Sequence, residues 1–231
     1  MGGSCESLAR PEGLEPPAYW FEASRSIRLS YGRVDSSYHH NRMPVETEVK
    51  IRFPEGAQAA RQRIEGHGYQ LVEPRTLEAD QLFERGEAEL RNSGRLLRLR
   101  RTGDRAMVTY KGPMSAGPYK SREEIEFDVS DAGALGRVLD RLEFTPSFRY
   151  EKYRTTFALP GEPGIVTIDE TPIGVFLELE GPPEWIDHTA TRLGFSRNDY
   201  VTASYASLYA DYRRMREDAP ENMTFDGGNP A

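Results

Sequence analysis

Glutamates, lysines and arginines recur at every second position in six separate stretches of this chain, and its chemistry must lie there. Glu46, Glu48 and Lys50 alternate with Thr47, Val49 and Ile51; Arg98 and Arg100 alternate with Leu97 and Leu99; Lys111 follows Val108 and Tyr110. Lys120, Arg122, Glu124 and Glu126 share a run with Ile125 and Phe127, Lys152 and Arg154 flank Tyr153, and Glu178 and Glu180 flank Leu179. In a strand, successive side chains point to opposite faces, so each stretch puts its charges on one face and its hydrophobes on the other. Acids at alternate positions stand roughly 6–7 Å apart, close enough to share or flank a hard cation such as Mg²⁺ or Mn²⁺. Arginine meets phosphate oxygens as a bidentate fork and lysine as a point charge. A polyphosphate with bound divalent cations needs both kinds of group.

Strands and helices must position these charges. Between residue 44 and residue 216 the order reads strand, helix, many strands, helix, strands, then two helices. Helices are expected from Pro54 to Gly66, after Asp131 with Leu135, Val138, Leu139 and Leu142 as an apolar stripe, from Glu184 to Leu193, and from Asn198 to Met215. Strands are expected at Tyr69–Arg75 and Leu77–Glu84, and Thr102, Gly103 and Asp104 join two alternating runs into a hairpin. If the helices cover the apolar faces, eight or nine strands can curl until the charged face encloses a lumen. Buried charges of both signs then need opposite charges, a metal or a charged ligand. Lys120 is expected at an edge or on the surface. Of the adjacent Glu123 and Glu124, parity with Arg122 and Glu126 turns Glu124 inward.

The chain has 231 residues, enough for one substantial domain, and a formal charge of −7. That acidity argues against nucleic acid or an anionic membrane as the main partner. Its single cysteine, Cys5, excludes an internal disulfide, and no apolar run approaches the roughly 18–20 residues of a membrane helix. No signal segment is recognisable, so a cytoplasmic protein, monomer or homodimer, is expected. Residues 1–43 read as a polar, flexible extension and residues 217–231 as a flexible tail.

Glu46-x-Glu48-x-Lys50 resembles the Glu-x-Glu-x-Lys signature of the CYTH family, the triphosphate tunnel metalloenzymes. Arg98-Leu99-Arg100 is similar to the family's Arg-x-Arg strand, Lys111-Gly112-Pro113 to its Lys-Gly-Pro strand end, and Lys152-Tyr153-Arg154 to its later basic strand. Asp169 followed by Glu178-Leu179-Glu180 resembles its closing acidic strands. The resemblance implies an α+β fold: a closed, eight-stranded antiparallel β-tunnel with helices packed outside. It implies Mg²⁺ or Mn²⁺ as cofactor, with Glu46, Glu48, Glu178, Glu180, Asp169 and Glu124 on the metal side. Lys50, Arg98, Arg100, Lys111, Arg122, Lys152 and Arg154 would hold phosphates, and Glu46, Glu48 and Lys50 would stand at the reacting group. The implied partner is a small-molecule triphosphate: ATP, thiamine triphosphate or inorganic triphosphate. A class IV adenylyl cyclase is the leading expectation, a triphosphatase the alternative, and a non-catalytic polyphosphate-binding module the alternative of another class.

Overall fold

The structure, a computed structural model, describes residues 45–225. The expected N-terminal extension lies outside the described residues. In chain order the elements are β1 (Val45–Arg52), α1 (Ala57–Gly66), β2 (Gln70–Arg85), α2 (Glu89–Asn92), β3 (Leu96–Thr102), β4 (Arg105–Lys111) and β5 (Lys120–Val129). They continue with α3 (Ala132–Arg141), β6 (Phe144–Ala158), β7 (Ile165–Thr171), β8 (Gly174–Glu180), α4 (Pro183–Arg192), a 3₁₀ turn at Arg197–Asp199, β9 (Tyr200–Val201) and α5 (Tyr205–Met215).

The strands form one antiparallel sheet in the order β5-β4-β3-β2-β6-β7-β8-β1-β9, and a further β1–β5 pairing closes it. Eight strands thus make a closed barrel, as the charge alternation and the family resemblance implied. At the seam, Val45–Glu48 of β1 pair with Lys120–Glu123 of β5, whereas Lys50 and Ile51 pair with Val201 and Tyr200 of β9. Gly103, at φ 57°, opens the two-residue turn between β3 and β4, where Thr102 faces Arg105. A side chain with a β-carbon would be strained there.

The odd and even faces of each strand part company as the pattern required. Val49, Ile51, Val166, Ile168, Leu177 and Leu179 point outward into a core with Ala60 and Ile64 of α1 and Trp185, Ile186 and Ala190 of α4. A β-carbon on Gly164 would lie 2.4 Å from the Trp185 ring, so this glycine is what lets α4 dock. Phe83, Leu99 and Leu139 form a smaller core beneath α3. The third cluster joins Leu82, Tyr150 and Phe176 to Tyr205, Leu208 and Tyr209 of α5 and to Met223.

Several expectations change. β2 is one strand rather than two, with register irregularities between Leu71 and Glu73 and across Pro74, which has no N–H to give the ladder. The expected helix from Asn198 starts only at Tyr205, because β9 pairs with β1 and Ser204 caps α5 by accepting from Ser207 N at 3.1 Å. Of the α3 stripe, Leu139 is buried while Val138 and Leu142 are exposed. The expected tail docks as far as its described residues go: Met223 is fully buried, and its backbone pairs with Arg149 and Glu151. An apolar side chain with a free sheet edge to join was enough to hold it.

Candidate active site in the barrel lumen

The inward faces enclose a cavity of about 520 Å³. Eight bases line it, Lys50, Arg98, Arg100, Lys111, Lys120, Arg122, Lys152 and Arg154, together with six acids, Glu46, Glu48, Glu124, Glu126, Glu178 and Glu180. Ser204, Tyr205 and Ala206 from the start of α5 complete the lining. Every expected site residue but Asp169 therefore faces one space, and Glu124 does so while Glu123 does not.

Most of the charges are already matched. Lys111 Nζ donates to Glu46 Oε2 at 2.7 Å and also reaches Glu124. Lys50 bridges Glu48 at 2.9 Å and Glu178 at 2.8 Å. Arg98 donates to Glu126 at 3.0 Å and to Thr109 Oγ1 at 2.9 Å. Burial alone would raise the carboxyls of Glu48 and Glu178; Lys120 and Lys50 beside the first, and Arg154 and Lys50 beside the second, outweigh it and hold both well below the usual range.

Asp169 stands behind this lining. It is fully buried and accepts from Lys152 Nζ at 2.7 Å, from Arg154 Nε at 2.7 Å and from Tyr205 Oη at 2.8 Å. In this arrangement it orients two bases and anchors α5. Asp80, also fully buried, does the same for Arg100 through a bidentate pair at 2.8 and 3.1 Å. Glu78 forms an ion pair with Arg100 at 2.9 Å; burial alone would raise its carboxyl, but the pull of Arg100, Lys152 and Arg154 outweighs it and holds it down to about 2. The sequence reading missed Asp80 and Glu78, although they alternate around Ala79 as the other acids do.

Lys120 corrects an expectation. It is 7 % exposed and faces the lumen, because the barrel closes on β5 and sets Lys120 opposite Glu48, whose Oε1 its Nζ contacts. Burial, only partly offset by Glu48, lowers its amine to about 7.

Two charged lining groups have no ion pair or side-chain hydrogen bond among the described residues: the Arg122 guanidinium, 8 % exposed, and the Glu180 carboxylate. Burial and then its neighbours Glu46 and Glu48 push Glu180 up to about 7. Among the described residues no three acidic, histidine or cysteine side chains converge as a ready-made metal cluster. The carboxylates are instead turned onto lysines and arginines. Their all-oxygen donor set nonetheless fits a hard divalent cation, and Glu180 is a carboxylate without a cation.

A closed antiparallel barrel whose lumen is lined by paired acids and bases, with helices packed outside, defines the class of charged β-tunnel folds. The chain belongs to the CYTH family, whose domain model matches residues 44–205. It is 28 % identical over 137 residues to a candidate adenylate cyclase of Methanocaldococcus jannaschii, covering 59 % of this chain and 76 % of that protein. Its fold is similar to a candidate adenylate cyclase of Vibrio parahaemolyticus (TM-score 0.64, 16 % identity, 73 % of this chain and 99 % of that one). It is also similar to HpAC1 of Hippeastrum, a candidate adenylyl cyclase with a dominant triphosphatase activity (TM-score 0.54, 16 % identity, 72 % and 96 %). Among the described residues no helix is long and apolar enough to cross a membrane.

Proposed function

We propose that the chain is a divalent-metal-dependent enzyme acting on a triphosphate-bearing substrate, with ATP cyclisation to cyclic AMP and pyrophosphate as its reaction. The observation that carries the triphosphate reading is the unpaired Arg122 in a lumen lined by seven other bases. A buried guanidinium without a counter-ion is unfavourable unless an anion arrives to meet it. Lys50, Arg98, Arg100, Lys111, Lys152 and Arg154 would take the remaining phosphate oxygens, with Asp80 and Asp169 fixing their directions.

The charge balance supports a metal. The eight lining bases already face six lining acids, and Glu78, Asp80 and Asp169 lie behind them, so a polyanion entering alone would make the lumen strongly acidic. Glu46, Glu48, Glu178 and Glu180 would hold Mg²⁺ or Mn²⁺, with Glu124 beside them; Asp169 is committed to its bases. Such a cation, when bound, polarises the attacked phosphoryl group and activates the attacking oxygen. In cyclisation a bond forms between the ribose 3′ oxygen and the α-phosphorus as the bond to pyrophosphate breaks. The bases that hold the β- and γ-phosphates then stabilise the leaving charge.

The name of the M. jannaschii relative supports the cyclase. So does the cavity, whose about 520 Å³ falls within the range of roughly 300–1,000 Å³ that encloses a drug-sized ligand. Val45 and Met107 line it without belonging to any core cluster among the described residues, which would give an adenine ring an apolar surface. The preponderance of charge in the lining favours a triphosphatase as the second reading. Incubation with Mg²⁺ or Mn²⁺ and, separately, ATP, thiamine triphosphate and inorganic triphosphate tests both. Cyclic AMP with pyrophosphate is expected from ATP. Orthophosphate without cyclic AMP overturns the cyclase in favour of the triphosphatase, and binding without turnover, undiminished by chelator, favours a non-catalytic module.

A further inference from the structure

Lys120 differs from the other lumen lysines in how it is held. Lys50 has both Glu48 and Glu178, Lys111 has Glu46 and Glu124, and Lys152 has Asp169 at 2.7 Å and Glu78 at 3.4 Å. Lys120 has Glu48 alone among the described residues. Glu48 in turn is served twice, since the Oε1 that Lys120 contacts also accepts from Lys50 at 2.9 Å. Taking Lys120 away leaves Glu48 paired; taking Glu48 away leaves Lys120 buried and without an anion.

We propose that Lys120 is a displaceable counter-ion, occupying Glu48 in the empty tunnel and moving to a phosphate oxygen when a triphosphate enters, which frees Glu48 for the divalent cation. The inference rests on the triphosphate reading and gives the site an order. A cation that binds Glu48 without substrate takes from Lys120 its one anion, so the buried lysine must stand as an unpaired ammonium or give up its proton, and either costs free energy. A triphosphate that binds first supplies Lys120 with an anion and leaves Glu48 with Lys50. Each ligand therefore strengthens the other, and the coupling is the same in both directions.

The test is calorimetric titration of the full chain with Mn²⁺ alone and, in chelator, with inorganic triphosphate alone, so that neither titration involves turnover. For Lys120→Met, triphosphate affinity should fall on the order of tenfold while Mn²⁺ affinity rises by a similar factor, because the stranded charge is gone. Lys120→Arg should keep triphosphate binding near wild type, which checks the role should the methionine variant fold poorly. A merely structural lysine would weaken both ligands together. That result, or two unchanged affinities beside a wild type that binds, overturns the role of Lys120 and leaves the triphosphate reading standing. A wild type that binds no triphosphate overturns both.

Discussion

Glu48 and Glu180 stand directly opposite one another on β1 and β8, yet they carry contrary charge environments. Lys50 and Lys120 grip Glu48 and hold its carboxyl well below the usual range, whereas burial and then the charges of Glu46 and Glu48 raise Glu180 to about 7. Folding therefore opposes the ionisation of Glu180. Stability linked to it is fully present below pH 4.5 and is lost as the pH rises through about 7. Glu180→Gln should stabilise the metal-free protein by about 1–3 kcal/mol at pH 8 and by clearly less at pH 5, read from urea unfolding. Equal gains at the two pH values would mean that Glu180 ionises freely in the fold.

Asp169 is the anchor behind the lumen. Replacing it with Asn removes the charge that Lys152 and Arg154 share and weakens the bond from Tyr205, although Glu78 and Glu178 still neutralise the two bases in part. Asp169→Asn should cost about 2–4 kcal/mol in urea unfolding and loosen α5, seen as faster amide exchange at its N-terminal turn. An unchanged stability would show that Asp169 is not a structural acid, and would return it to the metal side of the site.

Much of this is legible in the sequence, and for a definite reason. A period of two is carried by each strand by itself, so Glu46, Glu48, Arg98, Arg100, Lys152 and Glu178 reveal their shared face locally. Closure, by contrast, is a property of partners distant in sequence. Lys120 was misread because it looks like the start of an exposed strand until β1 arrives 72 positions away to face it. Asp80 and Glu78 stand between Thr76 and Leu82 at the alternate positions, with no base beside them on their own strand, and only the register with Arg100 and Lys152 gives them a role. The break before α5 depends on β9 finding β1, and the docking of Met223 on a neighbouring backbone; neither leaves a local periodic signal.

Met107 separates the two enzymatic readings. If it supports an adenine ring, Met107→Ala should raise KM for ATP about three- to tenfold through lost apolar contact and leave KM for inorganic triphosphate unchanged. Parallel changes for both substrates, measured by steady-state kinetics, would place the base elsewhere.

The central claim is that the lumen takes a triphosphate, and Arg122 tests it most directly. Its guanidinium is buried with no direct ion pair among the described residues, and the nearby charges of Glu48 and Glu46 do not make up for its burial, so Arg122→Met should stabilise the empty protein by about 1–3 kcal/mol while removing a phosphate ligand. The measurement is thermal unfolding of both proteins with and without inorganic triphosphate in chelator. Wild type should gain several degrees in Tm at saturating triphosphate, since about 2.7 kcal/mol is linked to a hundredfold excess over Kd. The variant should start higher and gain far less. A wild type whose Tm does not respond to triphosphate, or a variant that responds as wild type does, would contradict the account.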